Sequence, residues 1–254
     1  LHLSLRRQRQ MCIRDRYDYV VCSGGDGTMN EVANGMMRLH EKPICGYIPA
    51  GTVNDFASSL RIPKVMRHAA ELVTQGKVFR CDLGSFNDKF FTYVAGFGAF
   101  TEVSYTTPQE WKNMLGKTAY FIEGLKHLAE IKPHHMRITY DEGVVEDDFV
   151  LGLVSNSVSV AGYKAYKKED IKMDDGLFEV LFIRDLKNAL ELQEVLNALL
   201  TKHLDATKMF RCSSRHLHIV CDDEVQWTLD GEDGGSWDEV DPVSYTHLTL
   251  PTKA

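Results

Sequence analysis

Three clusters of residues in this chain have the types and spacing to do chemistry. The first is Gly24-Gly25-Asp26-Gly27-Thr28-Met29-Asn30. It follows an apolar run with strand character, Tyr19-Val20-Val21-Cys22, and opens a segment in which Met29, Val32, Ala33, Met36 and Met37 share one helical face. A strand, a glycine turn and a helix in that order present backbone N–H groups to a phosphate. Glycine lets the backbone bend through φ > 0 and approach an anion without a Cβ in the way. A carboxylate in such a turn would repel a bare phosphate, so Asp26 points to Mg²⁺ or to a ligand hydroxyl. The second cluster repeats the arrangement: Pro49-Ala50-Gly51-Thr52-Val53-Asn54-Asp55-Phe56-Ala57 follows the strand-like run Ile44–Ile48. Two such turns after neighbouring strands lie side by side at the carboxyl edge of a sheet, where open α/β folds bind ligands. The third cluster is acidic and spread along the chain: Asp82, then Asp230-Gly231-Glu232, which reads equally as a polar hairpin turn.

The elements that must carry these groups change character along the chain. Residues 17–81 alternate strand and helix, with a helix start at Asn54 and an amphipathic helix near Lys64–Thr74 that Gly76 caps. From Val78 onward strand-like runs dominate: Val78–Phe86, Lys89–Gly98, Met136–Tyr140, Val144–Ser155, Leu177–Ile183, His216–Val220 and Val225–Leu229. Asn87-Asp88 and Asp141-Glu142-Gly143 suit hairpin turns. Two helical stretches interrupt, near Gln109–Ile131 and Leu186–His203, the second with Asp185 as N-cap. The pattern is an α/β unit followed by a β-rich one.

The formal net charge of −7 argues against general nucleic-acid binding, which needs a basic face. No apolar run approaches the roughly 20 residues a spanning helix requires. The six cysteines include no Cys-x-x-Cys pair; Cys22, Cys45 and Cys221 sit in apolar runs and read as buried thiols, which suits a reducing cytoplasm. Trp111, Met114, Tyr120 and Phe121, interleaved with Lys112, Lys117 and Lys126, form either a core-facing helix with solvated lysines or one that touches a membrane surface. His134-His135 has no partner at metal-ligand spacing.

Taken with Asp82-Leu83-Gly84, Lys172-Met173-Asp174-Asp175-Gly176-Leu177 and Leu229-Asp230-Gly231-Glu232-Asp233-Gly234-Gly235, the two glycine turns resemble the soluble bacterial diacylglycerol kinase family of lipid kinases. The motifs occur in that family's order between residue 17 and about residue 240. The resemblance implies a truncated Rossmann-like α/β ATP-binding domain over residues 17–81, a β-sandwich domain over 82–241, and an active site in the cleft between them. By the same resemblance Gly24, Gly25, Asp26, Gly27, Thr28, Met29 and Asn30 bind ATP phosphates, with Thr52 adding a hydroxyl and Asn54 and Asp55 completing that wall. Asp26 holds the ribose or Mg²⁺. Asp230 or Glu232 is the general base, Asp82 orients Asp230, and Asp55 joins the acidic network. The backbone carbonyls of Lys172 and Leu177 with the Asp175 carboxylate would ligate a structural Mg²⁺; a plain type I turn at Gly176 is the alternative.

The implied activity is ATP-dependent phosphorylation of diacylglycerol to phosphatidic acid. The implied setting is a cytoplasmic protein that meets lipid at the inner membrane face, with a homodimer as the assembly to test. The alternatives are a kinase for another lipid alcohol (a sphingoid base or phosphatidylglycerol), a small-molecule kinase of the NAD-kinase type, and a nucleotide- or lipid-binding module without turnover. Residues 1–16 and 242–254 resemble translated adapter read-through, lack an anchoring apolar period, and are expected to stand outside the fold as non-native or disordered ends. The family's first βα unit, with its Asn-Pro-type phosphate loop, has no counterpart here, so one wall of the ATP pocket is expected to be missing and an inactive fragment is a further alternative.

Overall fold

The computed structural model describes residues 17–98, 131–156, 172–201 and 207–252. The expected helix near Gln109–Ile131 lies almost entirely outside them.

The N-terminal part is built from β1 (Tyr19–Gly24), α1 (Asp26–Met37), β2 (Ile44–Pro49), α2 (Asp55–Ser59) and α3 (Met66–Gln75). β1 and β2 pair in parallel, Tyr19 opposite Ile44 through Gly24 opposite Pro49. Both strands therefore end at the same edge, and both glycine turns leave from it. The apolar stripe read from the sequence is the buried face of α1, with Met29, Ala33 and Met36 nearly inaccessible. Met29 is thus a core side chain and can serve a ligand only through its backbone.

The remainder is mostly antiparallel: β3 (Lys77–Phe86), β4 (Lys89–Phe91), β5 (Val94–Gly98), β6 (His134–Tyr140), β7 (Gly143–Ser155), β8 (Phe178–Arg184), β9 (Met209–Ser214), β10 (Leu217–Leu229), β11 (Glu232–Val240) and β12 (Pro242–Thr252), with one helix among the described residues, α4 (Ala189–Thr201). Seven of these strands form a sheet in the order β11-β10-β5-β7-β8-β9, with β6 bridging β10 and β7. Its buried side is aromatic. Phe97 meets Trp227 at 5.0 Å and Phe182 at 5.4 Å between ring centroids, and Phe149 meets Phe182 at 5.3 Å. These distances suit edge-to-face packing. A second core joins α1, β1 and β2 to Leu83, Leu153, Leu181 and Leu199, so the α/β part and the β-rich part share buried surface.

Several sequence expectations are corrected. Residues 242–252 are not outside the fold: β12 pairs with β3 from Pro242 opposite Phe86 to Thr252 opposite Lys77, with a bulge at Thr246–Leu248. Leu248 and Leu250 are 1% and 0% exposed. A period-2 pair of leucines anchors a strand once an open edge is available to receive it, and β3 supplies that edge. β3 itself runs unbroken through residues 81 and 82, where the expected boundary falls. The run Lys89–Gly98 is two strands, not one, broken at Thr92–Tyr93. His216–Val220 and Val225–Leu229 are halves of one strand whose register slips between them. The N-cap of α4 is Asn188, whose Oδ1 accepts from the amides of Leu190 and Glu191 at 3.0 Å; Asp185 does not cap it. The exposure expected of His135 stands, and its ring meets Asp148 at 2.9 Å and Glu146 at 3.6 Å.

Candidate active site

The two glycine turns touch. A Cβ added to Gly51 would lie 2.5 Å from the Cα of Gly25, and one added to Gly25 would lie 3.3 Å from the Cα of Gly51. The contact exists because parallel β1 and β2 end level, and only glycine permits it; the positive φ expected of these turn glycines is not adopted, so what they contribute is the missing Cβ. Asn54 shapes the second turn: at φ 54° it adopts the left-handed conformation that asparagine tolerates best among non-glycine residues. Its side chain folds back on Gly51, Oδ1 accepting the Gly51 amide at 3.0 Å and Nδ2 donating to the Gly51 carbonyl at 2.6 Å. Thr52 is exposed at the rim, while Asn54 and Asp55 are buried. Thr28 lies against Gly24.

Asp26 ties one turn to the other. Its Oδ2 accepts the Asp55 amide at 3.0 Å and its Oδ1 the Phe56 amide at 3.2 Å, so the carboxylate caps the start of α2 from a different element. Burial raises its pKa to about 6 against the pull of those two amides, and the charges of Asp55 and Asp230 add to the rise. Asp26, Asp55 and Asp230 also push the buried Tyr93 hydroxyl upward, after burial itself. Asp26, Asp55 and Asp230 are therefore neighbours around Tyr93.

Asp230 and Glu232 have separate situations. β10 and β11 form a two-residue hairpin, Leu229 opposite Glu232, with Asp230 at φ 53° and Gly231 at φ 84°. An Asp-Gly pair with both φ values positive is the turn that matches the twist of a hairpin. The polar-turn reading of this motif therefore holds as local geometry. Asp230 points inward, 5% exposed. Its Oδ1 accepts the amides of Tyr93 (2.9 Å) and Val94 (3.0 Å). Its Oδ2 accepts the Thr92 amide (2.6 Å), the Thr92 hydroxyl (2.8 Å) and Asn30 Nδ2 (2.7 Å). Burial pushes this carboxyl up, and the Thr92–Val94 amides and the Thr92 hydroxyl pull it back. Glu232, two residues on, is exposed and lies over the first turn of α1: a Cβ on Gly27 would come within 2.9 Å of its Oε1. The fold thereby brings an accessible carboxylate from the β-rich part to the helix N-terminus of the α/β part.

The hydrogen bonds of Asp82 run elsewhere. Its amide donates to the Met173 carbonyl at 2.7 Å, its Oδ2 accepts the Gly176 amide at 2.7 Å, and its carbonyl accepts from Asn156 Nδ2 at 2.6 Å. Asp82 therefore braces the Lys172–Leu177 loop; the orienting of Asp230 expected of it is done by Thr92, Tyr93 and Val94. In the loop Gly176 has φ 74°, and the exposed Asp175 accepts the Leu177 amide at 3.1 Å.

Sequence reading missed Thr92, Tyr93 and Asn34. The break at Thr92–Tyr93 turns three successive amides onto one carboxylate, and no local signal marks it. Asn34 had a signal, its spacing of one helical turn from Asn30. Among the described residues His218, Glu239 and Asp241 also cluster. His218 turns Nδ1 to Asp241 (2.8 Å) and Nε2 to Glu239 (3.7 Å).

Comparison with known proteins decides the family. Residues 5–86 match the diacylglycerol kinase catalytic domain, and residues 94–250 match the YegS C-terminal NAD kinase beta sandwich-like domain. The chain belongs to the diacylglycerol kinase family of lipid kinases. It is 32% identical to the diacylglycerol kinase of Bacillus subtilis over 238 residues, covering 92% of this chain and 78% of that one. With the diacylglycerol kinase of Staphylococcus saprophyticus it shares 34% over 224 residues, 88% of this chain and 73% of the relative. A crystal structure of a diacylglycerol kinase from Bacillus anthracis superposes with TM-score 0.79 at 26% identity, over 98% of this chain and 82% of that one. This lipid kinase is accordingly a phosphotransferase, and its family implies ATP use. Its architecture is the family's: a mixed α/β N-terminal part followed by a β-rich C-terminal part. Among its described residues no helix is long and apolar enough to cross a membrane.

Proposed function

We propose that this lipid kinase transfers the γ-phosphoryl group of ATP to the free hydroxyl of diacylglycerol, giving phosphatidic acid and ADP at a membrane surface. The observation that carries the reading is the placement of Glu232. It is the accessible carboxylate of the acidic set, and it lies against Gly27, in the first turn of the helix that follows the phosphate-type glycine turn. A general base belongs within reach of the phosphoryl group and the attacking hydroxyl. Asp230 already accepts five hydrogen bonds, which supports a supporting role for it and assigns proton removal to Glu232.

The chain's own groups divide the remaining work. The amides of the first turn of α1, with the turns at Gly24–Gly25 and Gly51–Thr52, hold phosphate oxygens by the partial positive charge of a helix start. The close contact of Gly25 and Gly51 leaves backbone, not side chain, facing the ligand, which fits an anion with bulky oxygens. Asp26 spends one lone pair of each oxygen on α2, so it keeps the second turn in register with the first. A Mg²⁺ ion bound with the nucleotide would offset charge on the β- and γ-phosphates during transfer; Asp26 and Asp55 are the carboxylates on that wall. A second Mg²⁺ fits the Lys172–Leu177 loop on donor chemistry: an exposed Asp175 carboxylate beside peptide carbonyls offers hard oxygens.

The test is incubation of the protein with γ-labelled ATP and mixed micelles of diacylglycerol, sphingosine or phosphatidylglycerol. Label in phosphatidic acid alone supports the proposal. Label in another lipid names a different lipid alcohol as substrate. No labelled lipid from any micelle, with nucleotide bound, refutes it.

A further inference from the structure

We propose that Asn34 is a positioning residue for phosphoryl transfer: through Phe90 it fixes the offset between the glycine-turn helix and the hairpin that carries Asp230 and Glu232. The inference rests on the kinase reading above. Asn34 lies one turn after Asn30 on α1, on the side away from the buried Met29, Ala33 and Met36. Its side-chain amide meets the Phe90 peptide in both directions. Oδ1 accepts the Phe90 amide at 2.9 Å, and Nδ2 donates to the Phe90 carbonyl at 2.8 Å. Phe90 belongs to β4, which has β3 on one side. On its other side the Asn34 amide fills the place a neighbouring strand would take. Asn34 Nδ2 also lies 3.0 Å from Asn30 Oδ1. That contact fixes the orientation of the Asn30 amide, whose Nδ2 then donates to Phe90 O at 2.9 Å and to Asp230 Oδ2 at 2.7 Å.

Two ties result. One is direct, Asn30 to Asp230. The other runs from Asn34 to Phe90, then two residues along the chain to the Thr92–Val94 amides that hold Asp230. Glu232 is rigidly connected to Asp230 by the two-residue turn, so both ties control where its carboxylate stands relative to the first turn of α1. Phosphoryl transfer depends steeply on such placement, since an error of about 1 Å can cost a hundredfold in rate. Asn34 itself is three residues beyond Glu31 and well past the first helical turn, so it does not belong to the phosphate-facing end.

The experiment compares the protein with Asn34→Ala in steady-state transfer from ATP to diacylglycerol micelles, in binding of a fluorescent ATP analogue, and in amide exchange. We expect kcat to fall at least tenfold, KM for both substrates and the analogue's Kd to stay within threefold, and exchange of the Phe90 and Thr92–Val94 amides to speed at least tenfold. A purely structural helix contact would lower the melting temperature without separating kcat from KM. Should Asn34→Ala not fold, Asn34→Ser provides the same comparison with a shorter donor and acceptor. A kcat within twofold of the parent, or a KM that rises while kcat holds, overturns the proposal. If the amides exchange faster but the parent protein transfers no phosphoryl group to lipid, the tie is structural only; the kinase reading then fails, and the positioning role with it.

Discussion

Replacing Asp230 by asparagine separates the two carboxylates of the hairpin. Asparagine has one acceptor oxygen and one donor nitrogen where aspartate has two acceptors. In the better orientation its oxygen takes the place of Oδ2 and keeps Thr92 and Asn30. Its NH₂ then faces the amides of Tyr93 and Val94, which were 2.9 and 3.0 Å from Oδ1. Two buried N–H groups are left facing a donor, at about 1–3 kcal/mol each. Relief from burying a charge offsets part of this, so the net loss is about 2–4 kcal/mol, or roughly 4–16 °C in melting temperature for a chain of this size. Glu232→Gln makes the same chemical change at an exposed position and is expected to shift stability by no more than about 0.5 kcal/mol. Its cost is in turnover, about 10²–10⁴-fold, the usual contribution of a general base. Thermal melts and label transfer on both variants make the comparison. Asp230→Asn melting with the parent, or Glu232→Gln turning over at near the parental rate, refutes the division of roles.

Three further outcomes are expected. Asp26 has its pKa raised from 3.8 to about 6, so the folded state binds that proton more tightly than the unfolded state; its contribution to stability is full below about pH 4 and is lost as pH rises through about 6. The difference in unfolding free energy between the protein and Asp26→Asn should therefore shrink between pH 4 and 6 and level off above 7 in urea titrations, and a flat difference across that window would contradict the assignment. Leu250→Ala should cost about 2–5 kcal/mol, because Leu250 is 0% exposed; a stability unchanged in urea would place β12 outside the cooperative fold. Asp175→Ala should weaken the Mg²⁺-dependent thermal stabilisation, which for a single site in the parent is expected to reach about 2.7 kcal/mol of unfolding free energy at a hundredfold excess over Kd. An identical Mg²⁺ response in both proteins would remove the metal from the Lys172–Leu177 loop.

Local chemistry was legible in the residues. Glycine at positions 25 and 51 marks backbone that must touch, and the apolar period of α1 marks its buried face. The Asp-Gly pair at 230 and 231 specifies a hairpin whatever lies around it. These features depend on φ, on Cβ volume and on side-chain period, which are properties of a few consecutive residues. The division of labour between Asp230 and Glu232 is not such a property. Both are carboxylates in one turn; Asp230 became the anchor because Thr92, Tyr93 and Val94, more than 130 residues earlier, aim their amides at it. The same holds for Asp82, which the sequence pairs with Asp230 by motif and the fold turns toward Met173 and Gly176. It also holds for the Pro242–Thr252 strand, whose weak local pattern suffices only where β3 leaves an edge open. Tertiary structure decided these because burial and hydrogen-bond partnership, unlike turn geometry, are set by residues distant in the chain.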